Sequence, residues 1–92
     1  MGATYDSRVF NTTTPSEVRE QFRDAQLAAT AEYGSGDYQG HIGLAPGLEF
    51  AGKEFESVDE AHEWLEENAE KREAAIAVRV GERTVVGAIV PI

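Results

Sequence analysis

The strongest constraint on this chain lies in its last third. Ala75-Ile76-Ala77-Val78-Arg79-Val80 and Thr84-Val85-Val86-Gly87-Ala88-Ile89-Val90 flank Gly81-Glu82-Arg83. Two runs rich in β-branched residues around a glycine-containing turn specify an antiparallel hairpin. A lone hairpin is marginal in water, so the rest of the chain must add strands and a covering layer. With 92 residues it has material for one core, because two would each approach the roughly 40 residues below which a metal or disulfide is usually needed. The reading is therefore a single domain over 1–92. A hydrophobic fraction of 41 % is too high for a disordered chain, so the net charge of -9 has to sit on a folded surface.

Upstream, residues 3–10 place Tyr5, Ser7 and Val9 on one side and Asp6, Arg8 and Phe10 on the other, the period of a short edge strand. Thr14, Pro15 and Glu17 form a capping box with proline at the first helical position. Val18, Phe22, Ala25, Ala29 and Tyr33 then make one apolar stripe, predicting a helix over 15–33 that stops at Gly34. Alternation over 38–44 predicts a second strand. Pro46-Gly47 ends it, leaving a loop to residue 55 with a short extended piece at Leu48-Glu49-Phe50. Ser57 and Glu60 make a second capping box, and Val58, Ala61, Leu65 and Ala69, with Trp64 at the border, predict a helix over 58–72. The expected fold is α+β in the order β-α-β-α-β-β, a two-layer sandwich with both helices on one face of a four-stranded sheet. Two helices on one face leave apolar hairpin surface over, so a homodimer or higher oligomer is expected.

Several classes of function lose support. Without cysteine there is no disulfide framework, zinc-thiolate site or thiol nucleophile. No stretch approaches the about 20 apolar residues of a membrane span, and residues 1–8 lack the pattern of a signal peptide, so the protein reads as cytoplasmic with no membrane partner. An acidic chain is a poor direct binder of nucleic acid, which needs a basic patch to displace counterions. Asp59-Glu60-Ala61-His62 spells a helicase signature, yet it follows a serine cap and no phosphate loop accompanies it. His62, Glu66 and Asp59 stand at helical spacing and could meet on one face, a pattern that a solvated helix surface also produces. No serine lies in a nucleophile elbow, and His41 has no nearby acid to orient it. The expectation is a non-enzymatic protein with no catalytic residue, cofactor or metal.

The charge itself is local. Between Glu49 and Glu73 stand ten acids and three bases. Glu56, Glu60, Glu63, Glu67 and Glu70 recur at spacings of four, three, four and three, which aligns them along one side of the helix. Their mutual repulsion costs a few tenths of a kcal/mol per pair. Such a row suits docking on a basic, nucleic-acid-binding surface of a partner protein by mimicry of a phosphate backbone; a purely solubilising role is the competing explanation. The alternative function is an oligomeric small-molecule or nucleotide-binding protein. There Gly34, Gly36, Tyr38, Gly40 and His41 would form a ligand loop with exposed backbone amides.

Tyr33-Gly34-Ser35-Gly36, the following Tyr38-Gln39-Gly40-His41-Ile42, and Lys71 leading into Ala75-Ile76-Ala77-Val78 together resemble a group of small uncharacterised proteins. These occur in phages and prophages of actinobacteria and in some archaea, with the pattern Y-G-x-G-x-Y-x-G-x-I followed by K-x-x-x-A-x-A-V. The resemblance implies a viral or mobile-element origin, hence an accessory protein acting on a host factor, and it brings no catalytic activity with it.

Overall fold

The computed structural model describes residues 3–33, 42, 45, 47–69 and 74–91. Six elements follow in the order β1 (Ala3–Phe10), α1 (Pro15–Tyr33), β2 (Leu48–Phe55), α2 (Val58–Ala69), β3 (Ala75–Val80) and β4 (Arg83–Pro91). The α+β class and the β-α-β-α-β-β order are those the sequence predicts. The strands form one mixed sheet ordered β1-β4-β3-β2. β4 lies antiparallel to both β1 and β3, while β2 lies parallel to β3. The hairpin turns through Gly81 and Glu82, with Val80 opposite Arg83. Gly81 takes a φ of 60°, the conformation a two-residue hairpin asks of glycine at its first central position.

The helices do not share a face, which corrects the two-layer arrangement. α1 buries Val18, Phe22 and Ala29 against Ala75, Ala77, Val86, Ala88 and Val90. α2 buries Ala61, Leu65 and Ala69 against Ile76, Val78, Val80 and Val85. Successive strand residues point to opposite faces, so these two sets lie on opposite sides of the sheet and the molecule has three layers. Chain direction explains why. β1, β2 and β3 run parallel, with β1 at one edge and β2 at the other. The first crossover therefore travels across the whole sheet one way and the second steps back the other way. If both are right-handed, as parallel crossovers nearly always are, their helices must fall on opposite faces.

The same arrangement covers the described hairpin residues behind the expected self-association, with Ile89 only partly buried and Ile92 outside the described residues. Ile76, Val78, Val85 and Val86 are fully buried within one chain, covered from both sides.

Between α1 and α2 the described strand is β2. Of the predicted 38–44 segment only Ile42 lies among the described residues, and it sits in a turn in which the Ala45 N–H donates to the Ile42 carbonyl at 3.1 Å. A strand forms over Leu48–Phe55, longer than the short extended piece expected at Leu48-Glu49-Phe50 within a loop. Phe50 lies opposite Ala77 and Glu54 opposite Arg79, so four residues of β2 advance against two of β3. Gly52, at a φ of 69°, sits in that irregularity and breaks the alternation a strand would otherwise show.

Polar contacts fix the edges. Asp6 Oδ1 accepts the Ser7 N–H at 2.9 Å, and Arg8 Nη1 donates to the Ser7 carbonyl at 2.7 Å and to Asp6 Oδ1 at 2.9 Å. Both backbone groups that Ser7 could offer a further strand are thus occupied, a form of edge protection. Asp6 Oδ2 accepts the Ile42 N–H at 2.6 Å, and Gln26 Nε2 donates to the carbonyls of Ala45 at 2.9 Å and Ile42 at 3.3 Å. At the start of α1 the Thr12 hydroxyl donates to Glu17 Oε2 at 2.6 Å and accepts the Thr14 N–H at 3.2 Å, the amide that Glu17 would take in the predicted capping box.

Candidate functional site

α2 presents the predicted acidic row. Its apolar stripe, Ala61, Leu65 and Ala69, is fully buried, which turns Glu60, Glu63 and Glu67 to the outside. The helix begins where the capping box places it, with the Glu60 N–H donating to Ser57 Oγ at 3.2 Å. Glu56 is exposed just before the cap, so it flanks the row without belonging to the helix. Glu70 lies outside the described residues, as do Gly34, Gly36, Tyr38, Gly40 and His41 of the glycine-rich ligand loop and Lys71, four positions after Glu67.

The row borders an aromatic surface. Phe55, at the end of β2, and Trp64 of α2 pack with ring centroids 5.9 Å apart and planes tilted by 45°. Together with Glu60, Glu63 and Glu67 they line a shallow groove of about 290 Å³. Lys53 Nζ lies over the Trp64 ring, 5.7 Å from its centroid. The ion pairs of Arg8 with Asp6 and Arg79 with Glu54 lie elsewhere. No described cation forms one with Glu56, Glu60, Glu63 or Glu67. Three carboxylates beside two aromatic rings, with no ion-pair partner among the described residues, can receive a positively charged, partly apolar group.

Comparison with protein-family models, with curated proteins and with solved structures returns no match to this chain. The reading of the site therefore rests on its own geometry.

His62 has a role that its spacing from Asp59 and Glu66 does not suggest. Its Nδ1 and the Tyr5 hydroxyl share a hydrogen bond at 2.8 Å, and the two rings meet edge to face, centroids 5.8 Å apart. Burial pushes the Tyr5 hydroxyl up to about 12; Ser7 opposes the shift, and the charges of Glu66 and Asp6 add to it. The hydroxyl is therefore held in its neutral form near pH 7. The pair serves to tie β1 to α2 across 57 positions of sequence. Among the described residues no three metal-binding side chains converge.

On the other face, a cavity of about 260 Å³ opens beside the start of α1, lined by Pro15, Phe50, Ala77, Arg79 and Thr84 among others. Arg19 lies over the Phe50 ring at 5.0 Å. Among the described residues no helix is long and apolar enough to cross a membrane.

Proposed function

We propose that this protein is a non-enzymatic interaction module that acts in the cytoplasm by docking the outer face of α2 on a basic surface of another protein. The observation that carries the reading is the exposed line of Glu60, Glu63 and Glu67, which no described cation neutralises. At 1.5 Å of rise per residue these carboxylates recur about every 5 Å of helix axis, the same order as the one charge per about 3.4 Å along a nucleic acid strand. The partner surface would be one that ordinarily holds a phosphate backbone. An origin in a phage or other mobile element fits a module whose role is to occupy a host protein.

Self-association forms no part of this reading. The helices cover both faces of the hairpin, and the face that acts is exposed on each chain, whether single or paired.

The test is affinity capture at low and high salt, comparing the wild type with a Glu60→Gln, Glu63→Gln, Glu67→Gln variant, followed by competition with nucleic acid. A partner released by salt, lost from the variant and displaced by nucleic acid supports the proposal. Equal recovery by both proteins would make the row a solubilising surface only.

A further inference from the structure

We infer that the groove between Phe55 and Trp64 is a seat for an arginine side chain of the partner, so that recognition reads the guanidinium group and not positive charge alone. This rests on the acidic-face reading and adds a chemical identity to it. The groove offers two aromatic faces, Phe55 and Trp64, with centroids 5.9 Å apart and planes inclined by 45°, and a rim of three carboxylates from one helix face. A lysine ammonium is a compact, strongly hydrated point charge that gains less from an aromatic face than a guanidinium does. A guanidinium is planar, weakly hydrated and able to stack on an aromatic face while its N–H fork bonds a carboxylate. The Trp64 ring already holds a cation in this structure, since Lys53 Nζ stands 5.7 Å from its centroid. Trp64 is therefore placed as a cation-binding ring, and the carboxylates beside it on the groove side supply the complementary charge.

Trp64 is the chain's one tryptophan, so its emission reports on the groove directly. The experiment uses labelled hexa-arginine and hexa-lysine peptides at low salt, with affinity read by anisotropy and groove occupancy by Trp64 emission. The wild type is expected to bind the arginine peptide about two- to fivefold more tightly, the size of one exposed cation–π contact, with an emission change that the lysine peptide does not produce. Trp64→Leu should reduce the arginine affinity to that of the lysine peptide, while Glu63→Gln with Glu67→Gln should weaken both peptides. The emission readout needs no variant, so an unfolded Trp64→Leu protein would still leave the inference testable. Equal affinities for the two peptides in the wild type, or an arginine preference that survives Trp64→Leu, would overturn the arginine seat while leaving the acidic face as a general cation-binding surface. If neither peptide binds, both readings fall.

Discussion

Gly87→Ala adds one methyl group in the middle of β4, and the structure gives its effect a sign. Tyr5 pairs with Ile89 across the β1–β4 ladder, and its ring leans over Gly87 to reach His62 on α2. A Cβ at position 87 would lie 2.5 Å from the Tyr5 hydroxyl oxygen, 2.7 Å from Cε1 and 2.9 Å from Cζ. The backbone of Gly87 is not in the left-handed region. With space available, alanine would therefore stabilise the strand by about 0.5–1 kcal/mol. Here the ring must move, and the atoms that must move carry the hydroxyl bonded to His62. Overpacking costs about 1–3 kcal/mol, and the lost hydrogen bond adds about 0.5–1.5. A net destabilisation of about 2 kcal/mol corresponds to a fall in Tm of roughly 8–16 °C for a domain of this size. Thermal and urea unfolding of the single variants and of the pair with Tyr5→Ala completes a double-mutant cycle. In the Tyr5→Ala background the glycine replacement should be neutral or stabilising. A rise in Tm for Gly87→Ala alone, or the same loss with and without the Tyr5 ring, would refute the packing described for β1 and α2.

Further consequences concern the same contacts. Because the Tyr5 hydroxyl is raised from 10.0 to about 12, the folded state favours its neutral form. That contribution is whole below pH 10 and is lost as pH rises towards 12, so stability measured over this window should fall less steeply for Tyr5→Phe than for the wild type. Ser57→Ala removes the acceptor of the Glu60 N–H and should cost about 1 kcal/mol in urea unfolding; an unchanged midpoint would mean that α2 begins elsewhere. Asp6→Ala takes away the acceptor of the Ser7 and Ile42 amides. It should destabilise by about 2 kcal/mol and, with the β1 edge unprotected, raise the concentration-dependent mass seen by light scattering above that of the wild type.

The elements legible in the sequence were those whose signals are local. The hairpin announces itself through β-branched runs around Gly81, and α2 through Ser57 and a stripe of Ala61, Leu65 and Ala69. The outward row of Glu60, Glu63 and Glu67 follows from that stripe alone. β2 was legible only as a short extended piece at Leu48-Glu49-Phe50, because Gly52 and Lys53 interrupt it at the irregularity opposite β3 and leave no alternation beyond. The helices were assigned to one face because a single apolar stripe on each says that it packs, and not against which side. That side is set by the strand order, which depends on β1 pairing with β4 across the length of the chain. One clue was present. The near-continuous apolar run of β3 is the mark of a strand buried on both faces, and Ala75, Ile76, Ala77 and Val78 are all buried. The groove was half visible: the carboxylates were in the row, but Phe55 meets Trp64 only once β2 exists. Gly87 within a β-branched run likewise hinted that a large side chain lies over it, without identifying Tyr5.

The central claim is that the outer face of α2, and not acidity in general, is the docking surface. Chain-wide charge offers a built-in control, because α1 also carries exposed acids at Glu17, Glu20, Asp24 and Glu32. The most direct measurement is an amide and indole chemical-shift titration of the isotopically labelled protein with the hexa-arginine peptide. The account predicts shifts concentrated at Glu60, Glu63, Trp64 and Glu67, saturable and abolished by the Glu60→Gln, Glu63→Gln, Glu67→Gln variant. Shifts of similar size on both helices, unchanged in pattern by that variant, would contradict it.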